Sequence, residues 1–256
     1  MKTIVVTACG YVDSSGFGSA RRRSAWPSAG GTPPAAPRWR TFSNVPCDRF
    51  GRLDRLSKQA IIAVELLGLP PCRDGAARPD VAISLGTPQG SVDVDSEFAR
   101  SMGQPGGASP ALFSYTLPSA PVAEIAIRHQ VTGPGLCLMA GPQSGLVALW
   151  EGYHLVADEE ARACICVGCD AAPGAAPFAY AVLVETEASR AADGRRPLAE
   201  IGVRAASAAT GAGASDSPQN EPLRTLCEWL ASARPSLCLP APAAVGASLC
   251  LAVVRR

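Results

Sequence analysis

Long apolar runs are missing from this sequence, and no stretch approaches the roughly 20 residues that a membrane-spanning helix requires. The start of the chain also lacks the apolar region and cleavage site of a signal peptide, since Met1 and Lys2 lead directly into β-branched residues. The first absence excludes a membrane-spanning helix. The second predicts a cytoplasmic protein whose ten cysteines stay reduced.

Net charge is almost absent, because 23 basic residues oppose 22 acidic ones and leave a formal charge of +1. A chain without a long-range positive field is not expected to attract nucleic acid or anionic lipid. One basic cluster stands out, in a stretch rich in Pro, Gly and Ala: Arg21, Arg22 and Arg23, followed by Arg38 and Arg40. We interpret it as a solvated loop, with docking of a carrier protein as the alternative.

What the chain does contain is a regular alternation of short apolar segments with segments of helical periodicity. The segments that predict strands are residues 3–8, 81–86, 136–139, 163–168, 179–185, 198–204 and 247–254. Those that predict helices are residues 53–69, 91–102, 119–129, 145–156 and 223–233. Hydrophobic residues make up 47% of the chain, enough for a buried core, and the alternation predicts a layered α/β fold.

The predicted organisation is one main domain with a short C-terminal addition. Residues 1–204 hold the alternating segments, and residues 205–222 read as an Ala-, Gly- and Ser-rich linker. Residues 223–256 then supply a helix and a closing strand that we expect to pack on the same domain. Within the main domain, residues 14–46 show little periodicity and predict a long loop.

Several short motifs follow one another in a fixed order: an opening strand and glycine turn at residues 5–10, Phe-Gly-Arg-Leu-Asp-Arg at 50–55, a strand and glycine turn at 81–90, Ser109-Pro110 and Gly133-Pro134. Each motif alone is weak. Together they resemble the N-terminal half of the β-ketoacyl-acyl carrier protein synthases over most of the chain. The resemblance implies a thiolase-like layered αβα fold, with the C-terminal part as a short remnant of the missing half.

The nucleophilic cysteine of that family has no counterpart in this sequence. Counted from Gly133-Pro134, the chain reads Ala-Gly-Pro-Gln-Ser-Gly at residues 140–145, which puts Pro142 in the cysteine position. Proline carries no nucleophile, although it fits the first turn of a helix. The resemblance therefore implies a strand-to-helix elbow without catalysis. Gln143, next to Pro142, is similar to a glutamine found in chain-length factors, which are ketosynthase-like partners without the cysteine.

The resemblance also implies an interface and an acyl pocket. In the family, the strand before the nucleophile pairs across the dimer axis, and its residues here are Leu136, Cys137, Leu138 and Met139. The helix after Ser109-Pro110 lines the partner's acyl pocket. The corresponding candidates, each of which is otherwise an ordinary core residue, are Phe113, Tyr115, Thr116, Leu117, Val122 and Ile125. The implied partners are a catalytic ketosynthase and an acyl carrier protein, without a cofactor or metal ion.

Other chemistry has weaker support in the sequence. The family takes two catalytic histidines from the missing half, and the only histidines here, His129 and His154, lie in no family motif. Cys164 and Cys166 share one face of a predicted buried strand, which is more typical of a core than of a metal site. We expect a non-catalytic partner subunit in fatty-acid or polyketide biosynthesis, including the aryl-polyene type. The alternatives are a standalone acyl-thioester transferase or hydrolase that acts through Ser144 or a cysteine, and an acyl-chain binding protein.

Overall fold

The computed structural model describes residues 2–20, 22–24, 37–69, 76–205, 222–232, 236–242 and 249–255. Within these ranges ten strands form one mixed sheet. They are β1 (Ile4–Asp13), β2 (Gly16–Ser19), β3 (Arg22–Ser24), β4 (Val81–Gly86), β5 (Gly135–Leu138), β6 (Ala163–Asp170), β7 (Phe178–Thr186), β8 (Ala199–Ala205), β9 (Ser236–Pro240) and β10 (Leu249–Arg255). The α-helices are α1 (Arg55–Glu65), α2 (Val92–Met102), α3 (Pro110–Phe113), α4 (Ala120–His129), α5 (Ser144–Ala157), α6 (Glu187–Ala192) and α7 (Pro222–Leu230).

The strand order is β5-β4-β6-β7-β1-β8-β10-β9, so β5 and β9 form the two edges of the sheet, while β2 and β3 extend from β1. β4 pairs in parallel with both β5 and β6, and β6 pairs with β7 in antiparallel fashion. Every residue of β4 and β6 is buried, because helices cover both faces of the sheet there. Burial on both faces therefore accounts for the uninterrupted run of mostly apolar residues in these two strands.

Two helix layers enclose the sheet. On one face, α1 and Ile125 of α4 pack with Ile83, Ile165 and Leu183. Asp54 caps the start of α1, because its carboxylate accepts hydrogen bonds from the N–H groups of the first turn of the helix. On the other face of the sheet, α5 and α7 pack together against the side chains of these strands that point away from α1. The result is the layered α/β fold that the alternation of segments predicted.

The C-terminal part of the chain joins this single sheet. β10 pairs with β8 along its whole length, and β9 adds one more strand. α7 lies beside α5 and buries Leu223, Leu226 and Leu230, which recur at helical spacing. No residue of α5 is exposed, so this helix is enclosed within the chain.

One prediction is wrong in the described residues. The supposed loop at residues 14–46 contains a hairpin, in which β2 pairs with both β1 and β3. Two of the four residues in β2 are glycine, so no strand propensity marks it, and the turn instead depends on Asp13, whose Oδ1 accepts a hydrogen bond from Ser15 N at 2.8 Å. Arg22 and Arg23 therefore belong to β3 and not to a loop. Arg21 and most of the predicted linker lie outside the described residues.

Candidate functional site

The sharp turn between β5 and α5, here called the elbow (residues 139–144), is built from glycine and proline. Gly141 has φ of +54°, a left-handed conformation that glycine adopts without strain. It opens a short 3₁₀ helix, Gly141–Gln143, which runs directly into α5. Pro142 fits because the first turn of a helix needs no backbone N–H at that point. Pro142 and Gln143 form the exposed tip of the elbow.

The Ser144 hydroxyl holds the elbow closed. It donates a hydrogen bond to the carbonyl oxygen of Gly141 at 2.7 Å and accepts one from the N–H of Ala140 at 2.9 Å. The residue has no exposed surface. Because both bonds are internal to the turn, this hydroxyl is not presented to a substrate, which removes the support for a serine nucleophile here.

A glycine at the end of β4 allows the elbow to sit against the sheet. A Cβ atom at Gly86 would lie 2.0 Å from the carbonyl oxygen of Ser144, so no other residue fits without moving α5. The next residue, Thr87, donates its N–H to the carbonyl oxygen of Leu138 at 3.0 Å and thereby extends the β4–β5 pairing. The start of α5 is therefore fixed by two neighbouring strands.

Cys137, the cysteine next to the elbow in sequence, is not at its tip. It lies within β5, and its thiol donates a hydrogen bond to the carbonyl oxygen of Pro118 at 3.2 Å. Partial burial raises the pKa of this thiol above its usual value, which disfavours the thiolate. The position and the protonation state both make it a poor nucleophile.

Five large apolar side chains are exposed in α2, α3, the lead-in to α4 and the start of the elbow, and together we call them the apolar patch: Val92, Met102, Phe113, Leu117 and Met139. Leu117, Phe113 and Met139 are 64%, 63% and 54% exposed. The backbone of Gly90 links parts of the patch, since a Cβ atom there would lie 3.1 Å from Pro118 and 3.2 Å from the Met139 methyl group. An open strand edge beside such a patch is typical of a protein–protein contact.

The predicted pocket residues divide between surface and interior. Phe113 and Leu117 are exposed, while Tyr115 and Thr116 are half-buried between them. Both Val122 and Ile125 belong to α4. Val122 packs against the backbone of Gly135, and Ile125 is fully buried in the core. Of the predicted pocket residues, Phe113 and Leu117 therefore lie at the surface, whereas Ile125 belongs to the core.

Sequence reasoning missed a polar group that positions this lead-in. Glu124, on the buried side of α4, accepts hydrogen bonds from the Tyr115 hydroxyl at 3.1 Å and from Arg49 Nη2 at 2.8 Å. Burial and the Glu124 carboxylate raise the pKa of Tyr115. The one carboxylate among the apolar residues of α4 is the sequence feature that could have indicated such a contact.

Neither histidine is placed to act as a base at the elbow. His129 is buried at the end of α4, with Nε2 3.8 Å from Glu65 Oε2, and burial lowers its pKa to about 4. His154 Nδ1 lies 3.8 Å from Asp158 Oδ2, and the residue is ten positions beyond Ser144 along α5. That separation is about 15 Å along the helix axis.

The cysteines of β6 are packing residues. A Cβ atom at Gly152 of α5 would lie 2.3 Å from Cys166 Sγ and 3.0 Å from Cys164 Sγ, so both thiols fill the space that this glycine leaves. The described residues contain no cluster of three side chains that could ligate a metal ion. None of their helices is long and apolar enough to cross a bilayer.

Comparison with known proteins reveals similarity only at the level of structure. The sequence has no significant match among protein-family models or curated proteins. The ishigamide ketosynthase/chain length factor matches with a TM-score of 0.66 at 16% identity, over 99% of this chain and 99% of the matched chain. The ketosynthase ApeO in complex with its chain length factor ApeC, from Xenorhabdus doucetiae, matches with a TM-score of 0.62 at 15% identity, over 100% of both chains.

A β-ketoacyl synthase from Burkholderia phymatum matches with a TM-score of 0.61 at 16% identity, over 90% of this chain but 71% of its own. At these identities the matches demonstrate the fold. They confirm the predicted layered α/β fold of the ketosynthase type.

Proposed function

We propose that this chain, which has the ketosynthase fold, is a non-catalytic subunit that pairs with an active ketosynthase and shapes its acyl pocket. The setting is cytoplasmic fatty-acid or polyketide biosynthesis, including assembly of the aryl-polyene type. An acyl carrier protein brings the growing chain to the pair. The subunit uses no cofactor or metal ion of its own in this role.

The observation that carries the proposal is the combination of an open strand edge with an elbow that lacks a nucleophile. β5 is an edge strand, and Met139 of the apolar patch follows it directly in the chain. The exposed tip of the elbow beside it carries Pro142, which has no nucleophilic atom. A partner that pairs with β5 would cover both the open backbone edge and the patch.

Chain length gives further support. The chain spans 99% and 100% of the matched chains in two structures described as ketosynthase and chain length factor. It spans only 71% of the matched β-ketoacyl synthase. This difference in coverage favours a role like that of a subunit in the ketosynthase and chain length factor complexes.

Within this proposal the predicted residues have distinct roles. Leu136, Cys137, Leu138 and Met139 form the interface strand. Phe113, Thr116 and Leu117 reach the partner's acyl pocket, and Tyr115 is held behind them by Glu124. Val122 and the buried Ile125 support this arrangement from within α4. Gln143 at the exposed elbow tip extends the surface that faces the partner.

The alternative of a serine hydrolase is disfavoured by the same geometry. The Ser144 hydroxyl is buried and committed to two hydrogen bonds within the elbow. The described residues place no histidine beside it. Transfer or hydrolysis of an acyl thioester by this chain alone would need a nucleophile that the elbow does not offer.

An activity assay tests the proposal. The chain would be combined with the ketosynthase encoded nearest to it, an acylated carrier protein and a malonylated carrier protein, and condensation would be followed by mass spectrometry of the carrier. We expect no condensation by the chain alone and efficient condensation by the pair. Equal activity of the ketosynthase with and without the chain would contradict the proposal.

Two substitutions of exposed residues make the assay specific. Leu117→Glu places a charge in the apolar patch and is expected to abolish the stimulation. Val45→Glu alters a side chain of similar exposure outside the patch and is expected to have no effect. Equal loss of activity in both variants would count against the patch as the contact surface.

A further inference from the structure

An exposed side chain in the lead-in to α4 (residues 114–119) is anchored through the backbone on both of its sides. Leu117 is 64% exposed, yet the carbonyl oxygens of the residues before and after it accept hydrogen bonds from other elements. Thr116 O accepts one from the Ser91 hydroxyl at 2.8 Å, and Pro118 O accepts one from the Cys137 thiol at 3.2 Å. Such anchoring reduces the entropy that a contact residue loses when it meets a partner.

The Ser91 hydroxyl reaches the lead-in from a buried turn. Ser91 is 5% exposed and stands at the start of α2, where its carbonyl oxygen accepts the N–H of Asp95 at 2.9 Å. The turn before it is closed by a hydrogen bond from Gly90 N to Thr87 Oγ1 at 3.0 Å. Gly90 has φ of +60°, and a Cβ atom there would lie 3.1 Å from Pro118. The lead-in therefore packs directly on the turn that carries Ser91.

Two acceptors lie within reach of the single proton of the Ser91 hydroxyl. Thr116 O is 2.8 Å from Ser91 Oγ, and Asp95 Oδ2 is 3.0 Å from it. A carbonyl oxygen and an ionised carboxylate can only accept, so the proton serves one of them at a time. Asp95 is exposed and can accept hydrogen bonds from water instead. The shorter distance and the exposure of Asp95 both favour donation to Thr116 O.

We propose that Ser91 is a positioning residue that fixes the direction of Leu117 and thereby limits the length of the acyl chain in the partner's pocket. This inference rests on the proposed function, in which Leu117 reaches that pocket. Ser91 holds the backbone before Leu117, and Cys137 holds the backbone after it. Without the Ser91 hydroxyl, one side of Leu117 is released, and the lead-in can give way to a longer chain.

Amide hydrogen exchange of the full-length protein tests the positioning without a partner. In Ser91→Ala, the segment 114–120 should exchange about fivefold faster, as expected for the loss of one hydrogen bond of typical net strength. Ser91→Thr keeps a hydroxyl and should restore the slower exchange. Ser96→Ala removes a hydroxyl that bonds only to the carbonyl of Val92 within α2, and it should leave this segment unchanged. Thermal melting of each variant checks that the fold is intact.

The lengths of the products made with the ketosynthase encoded nearest to the chain test the effect on the pocket. Mass spectrometry of the carrier protein would give the ratio of the next longer product to the main product. Ser91→Ala should raise this ratio about fivefold, Ser91→Thr should restore it, and Ser96→Ala should leave it unchanged. A purely structural role of Ser91 would lower the melting temperature without changing the ratio.

Unchanged exchange of the segment 114–120 in Ser91→Ala would overturn the inference. So would an unchanged product ratio in a pair that condenses, or a Ser91→Thr variant that behaves like Ser91→Ala. Failure of the unmodified chain to stimulate the ketosynthase would instead contradict the proposed function, and with it the effect on acyl length. The exchange measurement does not depend on that result and separates the two failures.

Discussion

At the scale of single residues, Ser144 illustrates how a turn keeps its shape without a catalytic residue. Replacing it by alanine removes the hydrogen bonds to Ala140 N and to the Gly141 oxygen and leaves buried groups without partners. We expect Ser144→Ala to lower the free energy of unfolding by about 1–3 kcal/mol in urea titrations. Ser96→Ala, which removes a hydroxyl on the exposed α2, should cost much less.

The same Ser144→Ala protein also addresses catalysis. Any acyl-thioester hydrolysis measured for the chain should be unchanged in the variant, because the hydroxyl is committed to the elbow. A proportional loss of hydrolysis with Ser144→Ala in a folded protein would show that the serine is a nucleophile after all.

His129 makes stability depend on pH in a defined window. Burial, with a contribution from the positive charges of Arg128 and Arg78, lowers its pKa from 6.5 to about 4, although the Glu65 carboxylate acts in the opposite direction. The unfolded chain therefore binds a proton at a higher pH than the folded one. The contribution of His129 is fully present above about pH 6.5 and is lost as the pH falls towards 4.

The expected size of this effect is on the order of 2–3 kcal/mol. His129→Gln should flatten the fall in unfolding free energy between pH 6.5 and 4, measured by urea titration at each pH. His154→Gln, at a more exposed site, provides the matched control. A pH profile that is identical in His129→Gln and the unmodified protein would contradict a buried neutral imidazole.

At the scale of elements, the contact between α5 and β6 depends on one glycine. A methyl group at Gly152 would lie 2.3 Å from Cys166 Sγ, so Gly152→Ala should destabilise the protein by about 1–3 kcal/mol, although alanine favours the helix. Cys166→Ala in the same chain should restore much of this loss. Additive losses in the double variant would mean that the methyl group does not meet the thiol.

Long apolar segments were the elements that the sequence predicted best. β4 occupies residues 81–86 as predicted, and α5 begins one residue before its predicted start. Both were recognisable because burial of these elements leaves a continuous apolar pattern in the sequence. β2, β9 and the short α6 were missed. Each of them is short, with four, five and six residues, and is held by a neighbouring strand or a helix cap rather than by a long apolar pattern of its own.

The candidate site was predicted less completely than the elements. Periodicity placed α4 on a helix, but the sequence did not distinguish exposed Leu117, just before α4, from buried Ile125 within it, since both are apolar. The motif order located the elbow and Pro142. The hydrogen bonds of Ser144 and the contact of Glu124 with Tyr115 depend on three-dimensional positions that spacing does not encode.

At the scale of the whole molecule, the C-terminal elements join the same sheet and the same core as the rest of the described chain. α7 covers α5, while β10 and β9 extend the sheet beyond β8. Five of the eight large apolar side chains exposed in the described residues are those of the apolar patch, in α2, α3, the lead-in to α4 and the elbow that follows the edge strand β5.

The most direct test of this account is the mass of the assembly. The chain would be co-expressed with the ketosynthase encoded nearest to it and examined by size-exclusion chromatography with light scattering. We expect a one-to-one complex that Met139→Glu disrupts and Val45→Glu leaves intact. A chain that elutes alone, as a monomer or as a homodimer, in the presence of that ketosynthase would contradict the proposed role as a partner subunit.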